Sequence, residues 1–158
     1  MIVLLGAEIS YAHQHVRHFN LATDYRATST DFRRRYALHI LRLIIRRFQK
    51  GQGPLTADQI AEVIRLPNLI VTQLIDHLRE SGLVSAVKGE KNNAPLSFQP
   101  ARDIKSITIG SVLEALDKRG QKNWPANNDP EFARVSQAVD EIQTAINNSP
   151  VNRLVKDI

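Results

Sequence analysis

The sequence predicts a mainly α-helical fold organised around a winged helix, on three observations. A short helix, a Pro67-Asn68 turn and a second apolar-faced helix follow one another between residues 56 and 81. Gly82 then ends the helical pattern, and two short β-prone runs flank a polar turn. A longer amphipathic helix precedes the set and offers an apolar face for the short helices to cover.

Each element has a local cause. Residues 2 to 22 read as helix, with no proline and only Gly6 to weaken them. Ser29, Thr30 and Asp31 are N-cap candidates for a helix over Thr30–Lys50. At about 100° per residue, Tyr36, Leu38, Ile40, Leu41, Leu43, Ile44 and Phe48 form one broad apolar arc. Arg35, His39, Arg42, Arg46 and Lys50 stack on the opposite side, and Gly51-Gln52-Gly53-Pro54 breaks the helix. Thr56 caps a short helix to Ile64 with Ile60, Ala61 and Ile64 apolar. The next helix, Asn68 to Ser81, buries Ile70, Val71, Leu74, Ile75 and Leu78. Leu83–Val87 and Leu96–Phe98 read as strands around the polar turn Gly89–Ala94. Ile107–Leu116 is a further helix, stopped by Gly120. A helix from Pro130 to Ile146 closes the body with Phe132, Val135, Val139, Ile142 and Ile146 on one face. The domain division expected is 1–28 for the end of a membrane or juxtamembrane helix, 29–120 for the winged helix and 121–158 for a loop and C-terminal helical extension.

Composition bounds the chemistry. The chain has 158 residues, no cysteine, and a formal charge of +5. Disulfides, thiolate metal sites and cysteine nucleophiles are therefore excluded. The first 50 residues hold nine Lys/Arg against three Asp/Glu, while the remainder hold twelve against thirteen. The basic character thus belongs to the first third, on Arg33, Arg34, Arg35, Arg42, Arg46, Arg47 and Lys50, a candidate stripe for anionic lipid or nucleic acid. The apolar opening Ile2–Ala7 turns polar at Glu8, well short of the ~20 residues of a membrane span. It reads either as a buried helix start or as the last turns of a membrane helix.

No catalytic residue and no cofactor are expected. His13, His15 and His18 form H-Q-H-V-R-H, but on a helix His13 and His15 lie about 160° apart and do not chelate one metal. No phosphate loop and no Ser/His/Asp set is present.

The run LTADQIAEVIRLPNLIVTQLIDHLRESGLVSAVKGEKNNAPLSFQPARDIKSITIGSVLEAL, residues 55–116, resembles the DNA-binding module of Rrf-type winged-helix repressors. Ile-Ala-Glu in the short helix, Leu-x-x-x-Gly-Leu-Val after the second, and Ile-Thr-Ile-Gly-x-Val-Leu-x-Ala-Leu carry the resemblance. It departs at the wing tip, where Glu90-Lys91-Asn92-Asn93-Ala94 replaces a glycine-rich segment, and in lacking the cysteines that hold that family's iron–sulfur cluster. Leu5-Gly6-Ala7-Glu8-Ile9 and Tyr11-Ala12-His13-Gln14 resemble the end of the last transmembrane helix of the YihY/BrkB inner-membrane family, formerly labelled ribonuclease BN. That second resemblance implies a cytoplasmic extension of a bacterial inner-membrane protein.

The outer face of the second helix is expected to carry Leu69, Thr72, Gln73, Asp76, Arg79 and Glu80, and the wing Lys88, Lys91, Asn92 and Asn93. Asp76 and Glu80 would meet phosphates with the wrong sign, which makes the footprint near neutral. The expected function is accordingly a non-catalytic module at the cytoplasmic side of the inner membrane. Its expected partners are the membrane, through an upstream segment and the basic helix, and a protein or a second copy bound at Leu69 and the second-helix face. The alternatives are a DNA-binding transcription regulator and a ribonuclease-labelled protein with no visible site.

Overall fold

The computed structural model describes residues 28–89, 91, 93–120 and 128–158. The expected helix over residues 2–22, with Glu8, His13, His15 and His18, lies outside them, as do Glu90, Asn92 and Trp124.

The chain folds as the predicted winged helix. Helix α1, Thr30–Gln49, starts where the Ser29 hydroxyl accepts from the Phe32 N–H. It buries Ala37, Ile40, Leu41, Ile44 and Ile45. Phe48, expected on that face, is exposed. Strand β1 is only Leu55–Thr56, and Thr56 at once caps α2, Ala57–Ile64, in a reciprocal capping box with Gln59. Arg65 ends α2 in the left-handed region, φ 56°. Helix α3, Asn68–Glu80, buries the five residues its periodicity assigns inward. Gly82, at φ +67°, closes it: Leu83 N–H donates to Leu78 C=O and Gly82 N–H to Arg79 C=O, a Schellman arrangement.

The hairpin β2, Val84–Val87, with β3, Ser97–Pro100, pairs antiparallel with Val84 opposite Pro100 and Val87 opposite Ser97. β1 adds itself to the other edge of β3, so the sheet has three strands in the order β1-β3-β2. The sequence reading has two strands, because a two-residue strand that opens a helix leaves no period-2 signal.

Helix α4, Ile109–Asp117, is capped by Thr108. The last residues return to its start. Val155 N–H donates to Ile107 C=O, Ile109 N–H to Arg153 C=O, and Val155 is fully buried. The Asn152 side chain accepts from Gly110 N–H at 2.7 Å. A Cβ on Gly110 would lie 2.9–3.0 Å from Asn147 and Asn152, so only glycine allows this approach. The tail thus belongs to the winged-helix core.

Helix α5, Pro130–Asn148, departs from expectation. It buries no residue, and its apolar stripe does not close the body. Phe132, Val135, Val139, Ile142 and Ile146 are 41–63% exposed. Among the described residues no helix is long and apolar enough to cross a membrane.

Candidate nucleic-acid interface

Helix α3 presents its N-terminal turns outward. Asn68 and Leu69 are exposed, and Thr72, Gln73 and Asp76 are half-exposed along the same side. The entry turn is braced: Asn68 Nδ2 donates to Asp58 of α2, and Thr72 Oγ1 donates to Asn68 Oδ1 at 3.0 Å. These two hydrogen bonds link α2 to the start of α3. From Asn68 to Ile75 the helix carries no ionisable side chain. Gln73 Oε1 is buried with no hydrogen-bond partner among the described residues.

The acidic groups further along are not bare. Arg79 donates to Asp76 at 3.1 Å, and Arg119 to Glu80 at 2.8 Å. Each of the two carboxylates thus has a guanidinium of its own. Exposed pairs of this kind add at most about 1 kcal/mol of stability, but they cancel the local negative charge. Arg119 lies 39 residues from Glu80, so the pairing has no signature in helical spacing.

The wing is β2, the 88–96 connection and β3. Lys88, Lys91 and Asn93 are exposed, and Ala94 N–H closes a turn onto Lys91 C=O. Asn92 lies outside the described residues. A Cβ on Gly89 would stand 2.6 Å from the Ala94 Cβ, so the two arms meet where only glycine fits.

Five of the seven basic residues expected as a stripe on α1 have hydrogen-bond partners within the fold. Arg34 forks onto both Asp117 oxygens at 2.6 Å, and that hydrogen bond raises its pKa. Arg35 pairs with Asp31 at 2.8 Å. Arg33 donates to Thr28 C=O, Arg47 to Gly53 C=O, and Arg42 to the Ile158 main-chain oxygen. Arg46 and Lys50 remain exposed. Most of the run organises the fold.

His77, half-exposed on α3, borders a cavity of about 70 Å³ with Arg33, Arg34, Asp117 and Arg119. Burial first, then the charges of Arg119 and Arg33, push its pKa below the ordinary 6.5, against Glu80 and Asp76. A larger cleft of about 610 Å³ between the end of α3 and α4 is lined by Glu80, Arg102, Glu114, Lys118 and Arg119. Its charges are committed: Lys118 pairs with Glu114 at 2.5 Å, and Arg102 donates to the Ser81 and Gly82 carbonyls that end α3. No nucleophile–base pair is assembled there.

A family model described as "Rrf2: Iron-dependent Transcriptional regulator" matches residues 30–156. The HTH-type transcriptional regulator CymR of Bacillus subtilis (strain 168) is 29% identical over 83 residues, covering 52% of this chain and 56% of CymR. The chain thus spans little more than half the length of that curated relative. Among solved structures, CymR, "the Global Cysteine Regulator of B. subtilis", superposes with a TM-score of 0.53 at 22% identity, over 82% of this chain and 93% of CymR. Staphylococcus aureus CymR gives 0.50 at 21%, over 79% and 93%. At these identities the superpositions establish the fold alone. The iron in the family description finds no thiolate here, since the chain has no cysteine. Among the described residues, no group of three or more His, Asp or Glu side chains is placed to hold a metal. Among the described residues the donor set does not fit an iron centre.

Proposed function

Because this chain belongs to the Rrf2 family, we propose that it is a winged-helix transcription regulator that binds duplex DNA, with α3 in the major groove and the wing on the adjacent backbone. The family is one of transcriptional regulators, not enzymes. The observation that carries the reading is the state of the α3 outer face. Its first two turns are exposed and uncharged, and the acids beyond them are paired with arginines. Heads of this fold read bases with the N-terminal part of the second helix.

This reading replaces the expected membrane-side association module. The family match and the relatives named as transcriptional regulators overturn both that function and the inner-membrane placement. They give no support to the YihY/BrkB resemblance, to a membrane partner, or to a ribonuclease.

The proposal includes a second copy of the chain on α5. Phe132, Val135, Val139, Ile142 and Ile146 follow a 3-4-3-4 spacing over two heptads, flanked by Ser136, Ala138, Gln143 and Ala145. Uncharged flanks put no like charges across a seam between identical helices. A two-fold pairing there makes the surface self-complementary and supplies two reading heads for two half-sites.

Fluorescence anisotropy on duplex DNA tests the reading. Lys88→Ala with Lys91→Ala is expected to weaken binding by roughly three- to tenfold whatever the sequence, as lost phosphate contacts do. An unchanged affinity would remove the wing from the interface.

A further inference from the structure

Resting on the DNA-binding reading, we infer that the first two turns of α3 select A·T base pairs, with Leu69 packing on a thymine methyl group and Gln73 reading an adenine.

The argument starts from what α3 lacks. Guanine is read most often by Arg or Lys reaching its O6 and N7. No cation occurs between Asn68 and Ile75, and the first one along the helix, Arg79, is held by Asp76 in the third turn. Cytosine is read by a carboxylate, and Asp76 is the only acid on that side before Glu80. It too is committed to the Arg79 pair. The charged side chains that most often read guanine and cytosine are therefore missing from the turns that lead into the groove.

What α3 offers instead matches A·T chemistry. Leu69 is 48% exposed at the second position of the helix, an apolar group set outward on an otherwise polar face. Of the four bases only thymine presents a methyl group in the major groove. Gln73 stands one turn beyond Leu69, four residues on and so on the same face. Its amide can both donate from Nε2 to adenine N7 and accept at Oε1 from N6–H, the two-bond pattern that pairs Gln with adenine. In the free protein Gln73 Oε1 is buried without a hydrogen-bond partner among the described residues, so rotation onto a base edge supplies the donor it lacks. Asn68, the other amide, is spent on Asp58 and Thr72 and acts as a brace.

The experiment begins with selection of bound duplexes from a random pool of about 30 base pairs, long enough for two half-sites one turn apart. The selected duplex is then titrated by anisotropy beside a copy carrying deoxyuridine for thymidine, which deletes only the methyl groups. The full chain should enrich A·T pairs in each half-site and bind the deoxyuridine copy about three- to tenfold more weakly. Leu69→Ala should bind both duplexes alike, and Gln73→Ala should lose discrimination between adenine and guanine at one position. Thermal unfolding verifies that both variants are folded. G·C enrichment in the half-sites, or equal binding of thymidine and deoxyuridine duplexes by the unsubstituted chain, overturns the inference while leaving DNA binding intact. Retention of no duplex at all overturns the DNA-binding reading itself.

Discussion

Arg65 shows how much one residue can carry in a fold of this size. It takes the left-handed conformation that joins α2 to α3, and it is the only non-glycine residue at positive φ among the described residues. That conformation costs an L-residue roughly 1–2 kcal/mol, part of which glycine gives back through its freer unfolded chain. Arg65→Gly is therefore expected to stabilise the chain by about 0.5–1 kcal/mol, whereas Arg65→Ala keeps the strain and should not. Urea unfolding of the two variants separates them; equal midpoints would show that the turn is unstrained. Gly82 is the converse case. It already has the residue its φ of +67° requires, and Arg102 lies 3.2 Å from where a Cβ would sit. Its role was legible in the sequence as a stop after an apolar helical run. Arg65 was not, because nothing in its side chain announces a left-handed turn.

At the scale of elements, periodicity located what faces inward and failed to identify what covers each outward face. The five buried residues of α3 follow from spacing alone. The apolar stripe of α5 follows from the same spacing, yet its five residues stay 41–63% exposed among the described residues. Helical periodicity reports that a face is apolar, not whether its cover comes from the same chain. Val139→Glu with Ile142→Glu is expected to halve the mass measured by light scattering and to weaken DNA binding by tenfold or more, as two heads become one. An unchanged mass would take the second copy off α5. Helix α3 carries a separate prediction through His77. Its native pKa lies below the unfolded value near 6.5, so the unfolded chain takes up the proton first. Stability present above about pH 6.5 is therefore lost as the pH falls toward the native pKa. Thermal unfolding at pH 7.5 and 5.5 should show that loss, and His77→Gln should show less of it. The same loss in both proteins would place its origin elsewhere.

Across the whole molecule, net charge by segment was the misleading quantity. The first third is basic in the sequence, and that suggested a cationic face beside a membrane. Asp117 neutralises Arg34 across 83 positions, and Arg42 holds the returning tail. Glu80 finds Arg119, so an acid at the end of α3 is balanced by a cation from outside the helix. Charge in a folded chain is distributed by long-range contacts, which neither composition nor helical spacing encodes. The absence of cysteine, by contrast, is read directly from the sequence, and it removes the thiolate ligands of an iron–sulfur cluster. Anaerobic incubation with ferrous iron and sulfide is expected to produce no cluster absorbance and no change in DNA affinity. A coloured protein whose binding responds to chelator would reverse that conclusion.

The central claim is that α3 and the wing form a DNA-binding surface, and its most direct test is the salt dependence of binding to duplex DNA. If Lys and Arg side chains displace counterions from the phosphates, affinity should fall by roughly tenfold or more between 50 and 200 mM salt. The slope should become shallower in the Lys88→Ala/Lys91→Ala protein. Binding that is absent at low salt, or equally strong at both concentrations, would contradict the account.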